Sequence, residues 1–471
     1  MFTVSSDRKK FQPLTNALFG AIVVVALACL LTVTGCGSNN NQTSSASAAG
    51  TVVNFGDAPN DKIIAFELTI NAITLTGGSN PSILAKPTEI ELTHDMAAFE
   101  PLSLVTVPNG TYTAATLTVS NPEIVIVDPT TKAVTKLTAT LSSTTVNVPF
   151  SPSVTIGTGA SVLNFDMNLA SSVTISGTSA TVTPTFSVTT STVPAGEAGE
   201  DDDNGEMDDL RGTITNVASP KFTIQASQTA QPITITTDAN TRFSDGVTSF
   251  SNLTTGMIVS VDAATQADGS ILAKKIESET ETADGEEVEG IITNVTCAVA
   301  AACPGAANAA TSIDITTHRV SATTAAIAPA AATTVTVPIT PGIRFTVHSN
   351  QGGGASFPTF DATTISKAQR VEVDSENESG DSATFVNADK IKLLEQGFSG
   401  TVSALSGTNF TLTVDSTSAF ASLTGQTTIA VQAANAQNKG VTLANTATVR
   451  VRGLLFFNGT SYTLIASRVA K

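Results

Sequence analysis

The sequence of 471 residues has no tryptophan, two tyrosines, three histidines and four cysteines. Charged residues make up only 13% of it, about half of the ~25% that is usual in soluble domains. The histidines, His94, His318 and His348, are far apart in sequence, and no metalloprotease, nucleophile-elbow, phosphate-loop or dinucleotide motif occurs. The sequence therefore predicts no enzymatic activity, no metal site and no cofactor. A hydrolase whose catalytic residues come together from distant positions is a further alternative.

The N-terminal segment has the order of a secretory signal. A basic patch at 8–10 precedes an apolar run at 17–31, and small residues follow. The stretch 31–36, Leu-Thr-Val-Thr-Gly-Cys, resembles the lipobox of bacterial lipoproteins. This resemblance implies that Cys36 is the lipid attachment site and the mature N-terminus. An uncleaved transmembrane helix is the alternative, because the apolar run approaches the ~18 residues that a membrane span needs.

A lipid on Cys36 predicts an extracytoplasmic protein that is held in the cell envelope through its anchor. Several acyl chains bind a membrane stably, whereas one binds only marginally. Gly37 rather than Asp follows the cysteine, and resemblance to Gram-negative lipoproteins then implies sorting to the outer membrane. The polar residues that follow, up to Gly50, predict a flexible tether with a reach on the order of 20 Å.

The composition after the tether favours an all-β fold, because β-branched residues are abundant and Gly and Pro are frequent. Between 51 and 195, about ten short strands predict a β-sandwich. Phe66, Leu68 and Ile70 alternate on one face, and Ile73 and Leu75 continue the pattern after a shift that predicts a β-bulge near 71–72. Other predicted strands are 89–92, 111–119, 123–127, 144–148, 162–167 and 181–188.

Three short motifs of this region carry a family resemblance. They are Asp-Ala-Pro at 57–59, Phe-Glu-Leu-Thr-Ile at 66–70 and Pro-Asn-Gly-Thr-Tyr at 108–112. The region resembles an uncharacterised domain family of bacterial lipoproteins, with an early Asp-Ala-Pro and a late Gly-Thr-Tyr strand. The resemblance implies a β-sandwich and no agreed function.

A repeat occurs three times in the remainder of the chain. Leu-Arg-Gly-Thr-Ile-Thr-Asn-Val at 210–217 matches Val-Glu-Gly-Ile-Ile-Thr-Asn-Val at 288–295 and Phe-Ser-Gly-Thr-Val-Ser-Ala-Leu at 398–405. Each copy continues with alternating strands, which predicts a five-stranded OB-like β-barrel whose first strand coils tightly at its glycine. The copies resemble an uncharacterised family of extracytoplasmic β-barrel repeats.

The net charge of −17 is concentrated in two acidic stretches. Residues 197–209 contain eight carboxylates and residues 277–289 contain seven, with no base in either. Such runs predict solvated linkers, so that the barrels extend from the sandwich and only the last two pack together. The predicted segments are a signal peptide at 1–35, a tether at 36–50, a β-sandwich at 51–195, an acidic linker at 196–209, barrel one at 210–278, an acidic linker at 279–287, barrel two with insertions at 288–395 and barrel three at 396–471.

Two cysteines remain once Cys29 leaves with the signal peptide and Cys36 carries lipid. Cys297 and Cys303 lie in an oxidising compartment and are expected to form a disulfide. A zinc site is the alternative reading, but it needs about four ligands, and the nearest histidine in sequence is His318 alone.

The run Asp-Asp-Asp-Asn-Gly-Glu at 201–206 suggests Ca²⁺, with Asp201, Asp203 and Glu206 as weak candidate ligands. Compared with an EF-hand loop that starts at Asp201, Asp203 fits, but Gly205 and Glu206 occupy the wrong positions. A solvated acidic hinge is the alternative.

Partner classes differ in how well they suit this composition. Nucleic acid is not expected, because the barrels are nearly neutral and their junctions are anionic. Tyr112 and Tyr462 lie in strands with alternating neighbours, which predicts core or rim positions rather than a sugar platform. The sequence thus indicates a non-enzymatic binding or structural module with an envelope protein or glycan as partner. The runner-up is a surface carbohydrate-binding or Ca²⁺-dependent adhesin.

Acylation of Cys36 is directly testable. Cys36→Ala should leave an unprocessed precursor that takes up no labelled palmitate, because the acylated sulfur is missing. Gel mobility and palmitate labelling in the bacterial host measure both effects. A variant that is processed and labelled like the wild type would contradict the lipid anchor.

Overall fold

The structure is a computed structural model. It describes residues 50–470 apart from 59–60, 85, 94–99, 158, 194–205, 227–231, 245, 280–285, 301–302, 323–333, 349–356 and 376–387. The side chains of some strand residues, among them Glu206 and His318, are also outside this set. Strands dominate, which confirms the all-β class. Within the described residues, no helix has the length and hydropathy needed to cross a bilayer.

The first eleven strands form a sandwich of two sheets. One has the order β11-β8-β1-β4, and the other runs β3-β2-β5-β6-β10-β9 with β7 paired to β5. A helix of four residues, α1 (Leu169–Ser172), follows β8. The strands are β1 Gly50–Ala58, β2 Ile63–Thr76, β3 Thr88–Glu91, β4 Glu100–Thr106, β5 Gly110–Val127, β6 Val134–Leu141, β7 Thr145–Ile156, β8 Ser161–Asn168, β9 Val173–Ser176, β10 Ser179–Val182 and β11 Phe186–Thr192.

One apolar core lies between the two sheets. Phe55 of β1 stacks on Phe165 of β8 with ring centroids 5.1 Å apart. The alternating residues of β2 enter this core, and the pairing of β2 with β5 shifts register between Ile70 and Ala72. The predicted bulge is therefore confirmed, and it returns Ile73 to the core face.

Two of the predicted strand divisions are wrong. Residues 111–119 and 123–127 belong to one long strand, β5, which stays paired with β2 across a bulge. Asn121 adopts a positive φ of 51° there, which Asn tolerates better than most residues. The predicted strand 181–188 is two strands, β10 and β11, which belong to different sheets.

The rest of the chain forms three OB-like barrels with the same strand order. In the first barrel, strands one to five are β12, β13, β14, β16 and β17, paired in the ring order 1-2-3-5-4-1, and β15 adds to β17. A parallel pairing of strands three and five closes the first and third barrels. The strands are β12 Glu206–Ala218, β13 Lys221–Ala226, β14 Ile233–Thr236, β15 Arg242–Ser244, β16 Ile258–Thr265, β17 Ile271–Glu279, β18 Glu286–Cys297, β19 Ala310–Ala322, β20 Thr334–Pro338, β21 Arg344–Val347, β22 Arg370–Ser375, β23 Ala388–Leu393, β24 Glu395–Ser406, β25 Asn409–Thr413, β26 Thr428–Gln432, β27 Gln437–Lys439, β28 Thr448–Phe457 and β29 Tyr462–Ala470.

The repeated glycine permits close contact between the first two strands of a barrel. A Cβ on Gly290 would collide with the backbone carbonyl of Thr316 in the neighbouring strand, and one on Gly400 would come within 2.5 Å of the Thr413 carbonyl oxygen. Only a residue without a side chain fits this approach.

The second and third barrels are packed together, as predicted. Leu454 and Phe456 of β28 join the apolar core of the second barrel. One residue, Leu394, separates β23 from β24. A shared core of this kind compensates for the small surface that each barrel can bury alone.

The expectation that the barrels extend away from the sandwich is wrong. The first barrel contacts the sandwich, because the backbone N–H of Ala160 donates to the carbonyl oxygen of Ala267 over 3.3 Å. The third barrel also contacts the sandwich. Its helix α2 (Ala419–Thr424) is capped by the side chain of Ser418 and ends at Gly425 in a left-handed conformation. The backbone N–H of Ala419 donates to the carbonyl oxygen of Asp61 over 2.6 Å. The sandwich therefore contacts the last barrel directly.

Gly290→Ala is expected to destabilise the second barrel by about 1–3 kcal/mol, the usual range for overpacking. The midpoint of urea denaturation followed by circular dichroism measures the loss. Gly157→Ala is the matched control, because a Cβ there meets nothing within 4 Å. Equal midpoints for both variants would show that the glycine is not required by the strand contact.

Candidate functional site

Only some of the predicted site residues are among the residues that the structure describes. Cys36, Asp201 and Asp203 lie outside the described residues, as does the side chain of Glu206, where β12 begins. His94 is also outside. Among the described residues, no group of three or more His, Cys, Asp or Glu side chains is placed to hold a metal ion.

Cys297 and Cys303 form a disulfide with an S–S distance of 2.01 Å, which confirms the predicted pairing. The bond fastens the end of β18 to the loop that follows it. This loop connects strands one and two of the second barrel and contains twelve residues, 298–309. The first and third barrels have two residues in the same place. The long loop is thus an addition that the barrel itself does not need.

Hydrogen bonds hold the base of this stapled loop, residues 297–309. The side chain of Asn308 accepts from the backbone N–H of Val299 over 3.3 Å and donates to the Val299 carbonyl oxygen. The Val299 side chain is 60% exposed, and no other large hydrophobic side chain in the described part of the chain is classed as exposed. The sequence has no charged residue from 290 to 313. The braced loop therefore presents an uncharged surface at Val299.

A polar cluster lies beside this loop on the first three strands of the second barrel. The Asp314 carboxylate accepts from Asn294 Nδ2 over 3.1 Å and from Thr336 Oγ1 over 2.7 Å. All three side chains are half-buried. OB barrels bind oligonucleotides and oligosaccharides on strands two and three and on the loop between strands one and two. The cluster and the stapled loop occupy that part of the second barrel.

Both tyrosines are buried, as their neighbours predicted. Tyr112 donates from its hydroxyl to the Pro108 carbonyl oxygen over 2.7 Å, which fixes the turn before β5. The Tyr462 hydroxyl lies 2.6 Å from Ser366 Oγ and donates to the Lys367 carbonyl oxygen. Burial raises the pKa of Tyr462 to about 12. These side chains stabilise the fold and the junction between the second and third barrels.

A network of charged side chains is buried where the first barrel meets the second. Glu277 of β17 contacts Lys275 Nζ at 2.6 Å and Lys392 Nζ of the second barrel at 3.9 Å. Lys392 also lies 3.4 Å from Glu372. Burial alone raises the pKa of Glu277, but the charges of Lys392 and Lys275 outweigh it and hold the pKa at about 2. Glu277 is therefore ionised at all physiological pH values.

His348 belongs to the surroundings of this network. It follows β21, and its backbone N–H donates to the Leu393 carbonyl oxygen over 2.8 Å. Its charge also favours ionisation of Glu277. The histidine thus lies at the junction of the two barrels.

A second buried network joins the second and third barrels. Arg370 donates from Nε to Glu289 Oε1 over 2.7 Å, and its Nη2 contacts the same oxygen. Its Nη1 donates to the carbonyl oxygen of Glu395, and its backbone N–H donates to Gln396 Oε1. The side chains of Arg370 and Glu289 are 8% and 3% exposed. This arginine therefore ties β18 of one barrel to β24 of the next.

These networks correct the interpretation of the second acidic stretch. Glu277 and Glu289, at its two ends, are buried in strands and paired with bases. Lys275 lies just before the stretch, whereas Lys392 and Arg370 are distant in sequence, so counting charges within the stretch could not reveal these pairs. One signal was available: in the strands β22 and β23, Glu372 lies opposite Lys392 and Asp374 lies opposite Lys390. Charges that alternate with apolar residues in two complementary strands indicate a polar face that is covered by another element.

The sandwich contains a row of three neighbouring acids, two of them buried, that the sequence did not reveal. Glu67 of β2 lies between Glu91 of β3 and Glu123 of β5 in the strand register. Burial, and then the charges of Glu91, Glu89 and Glu123, raise the pKa of Glu67 to about 9. Glu67 is therefore protonated at neutral pH, which removes the repulsion that three ionised neighbours would produce.

Comparisons with known proteins found matches to parts of the chain. Residues 211–277 match the model of a domain of unknown function, DUF5666. This region is the first barrel. No curated protein matches the chain. A solved structure described as drosophila Unr CSD456 is similar at 14% identity over 55% of this chain and 95% of that one, with a TM-score of 0.13. A score this low does not establish a shared overall fold.

Arg370→Met is expected to cost about 3–5 kcal/mol of stability, because Glu289 is then buried without its cation. The double variant Arg370→Met with Glu289→Leu should recover most of the loss. Denaturant unfolding measures both. The control is Lys136→Met in the exposed pair with Glu123, whose side chains are 45% and 36% exposed, where a change of about 0–1 kcal/mol is expected. A double variant as unstable as the single one would contradict the pairing.

Proposed function

We propose that this protein is a lipid-anchored, extracytoplasmic component of the cell envelope that acts as a non-enzymatic binding or structural module. The observation that carries the proposal is the order of the chain. A lipobox-like stretch at Cys36 and a polar tether are followed by an all-β body from Gly50 to Ala470. A disulfide in that body is in keeping with an oxidising compartment.

The interior of the body supports a rigid module. Its buried acids and bases pair with one another across the barrel junctions, as in Glu277 with Lys392 and Glu289 with Arg370. Networks that are fully paired favour one arrangement of the elements that they connect. A rigid body at the end of a flexible tether suits a protein that presents a fixed surface to its partner.

The stapled loop is the surface on which we place binding. It is held by a disulfide and by Asn308, so little conformational entropy is lost when a partner binds it. The exposed Val299 supplies an apolar contact without charge. We therefore propose an envelope protein as the partner.

Carbohydrate binding is the second candidate, and the Asp314 cluster favours it. Its carboxylate, amide and hydroxyl groups are the kinds of polar group that fix the orientation of a polar ligand. A glycan array probed with the soluble protein, together with calorimetry in Ca²⁺, separates this candidate from a protein partner. A glycan signal that Asp314→Ala abolishes would favour the adhesin.

The binding surface can be tested by pull-down of envelope proteins with the soluble form from residue 37 onward. Val299→Asp should reduce recovery of a specific partner by about tenfold, since a central apolar contact contributes on the order of 1–2 kcal/mol. Thr408→Asp is the matched control, because it places the same charge in the exposed loop between strands one and two of the third barrel. Equal losses with both variants, or none with either, would remove the stapled loop from the proposal.

A further inference from the structure

The sandwich and the third barrel meet at the turn before β2. Besides the hydrogen bond from Ala419 to Asp61, an apolar patch closes the contact. We call this contact the latch. It consists of α2, which contributes Ala419 and Leu423, and of the sandwich residues that α2 covers, which are Ile64, Ala65, Val125 and Val127. The two domains are far apart in sequence, so the latch closes the chain on itself.

Charged groups surround the carboxyl group of Asp61 within the latch. The hydroxyl and backbone N–H of Ser399 on β24 stabilise its ionised form, as does Arg450 on β28. Asp415, which precedes α2, has the opposite effect. Asp166 on β8 of the sandwich also interacts with Arg450, and Lys62 interacts with Asp415. Two sandwich carboxyl groups thus share one arginine of the barrel.

We propose that this latch is sensitive to protons: a proton on Asp61 holds the third barrel against the sandwich, and its loss loosens the contact. The geometry provides the reason. Opening the latch returns the Asp61 carboxyl group to water, where a carboxylate is well solvated, whereas in the closed latch it is desolvated and bonds to Ser399 of β24. Arg450 is shared by Asp61 and Asp166, and Asp415 adds a further negative charge near Asp61.

The direction of the pH dependence follows from burial. Burial raises the pKa of Asp61 from 3.8 to about 6, and it also raises the pKa of Asp166. The closed state therefore binds the proton more tightly than the open state. Closure is strongest below about pH 4, weakens as the pH rises to about 6 and stays constant above that value. A shift of about two pKa units corresponds to at most ~100-fold in the closing equilibrium.

Loosening the latch has a structural consequence. The sandwich residues Ile64, Ala65, Val125 and Val127 are buried against α2 when the latch is closed. An open latch would expose this patch together with the apolar face of α2.

Hydrogen exchange of the mature full-length protein tests the latch. Amides of α2 and of β2 near Ile64 should be protected more strongly at pH 4.5 than at pH 7.5, after correction for the intrinsic exchange rates. In Asp61→Asn, which stays neutral, the difference in protection between pH 4.5 and pH 7.5 should be much smaller than in the wild type, and Asp166 accounts for what remains. Asp268→Asn is the control, since Asp268 lies in an exposed turn of the first barrel, and should behave as the wild type.

Arg450→Gln is a second variant that does not depend on how well Asp61→Asn folds. Removing the cation should move the midpoint of the pH dependence upward, because the ionised form of Asp61 loses its favourable charge. The proposal is overturned if wild-type protection is the same at both pH values. It is also overturned if Asp61→Asn keeps the wild-type pH dependence, or if the Arg450→Gln midpoint is unchanged or falls.

Discussion

The arrangement of the last two barrels depends on one buried ion pair, Arg370 with Glu289. Each barrel is a small ring of five strands whose apolar residues mostly fill its own interior. Apolar residues cross the junction of the last two barrels, since Leu454 and Phe456 enter the core of the second barrel. Beside them, guanidinium, carboxylate and amide groups form hydrogen bonds from one barrel to the next. Such groups stabilise little relative to apolar packing, but an incorrectly docked barrel would leave them unpaired. The pair thus acts mainly by excluding other arrangements.

Local patterns in the sequence predicted the features that depend on neighbouring residues. Alternation along β2 located the bulge near Ile70, and the repeated glycine marked the first strand of each barrel as one that coils tightly. The pairing of Cys297 with Cys303 followed from their number, because no other cysteine remains once Cys29 and Cys36 are accounted for. Each of these depends on residues that lie within one strand or one loop.

The features that sequence reasoning missed depend on partners that are distant along the chain. Glu277 looked solvated because Lys392 is more than a hundred residues away. The continuity of β5 depends on β2, which pairs with it across the irregularity at Asn121. The contact of α2 with the sandwich involves apolar residues that would suit a domain interior equally well. In each case one strand or helix was consistent with two environments, and only tertiary structure distinguished them.

The single residue between β23 and β24 has a consequence for how this protein can change in evolution. Because side chains alternate along a strand, inserting one residue beside Leu394 would move every side chain of β24 to the opposite face. Phe398 would leave the core of its barrel, and Gln396 would lose the backbone of Arg370. We therefore expect the second and third barrels to be duplicated or exchanged only together, as one unit.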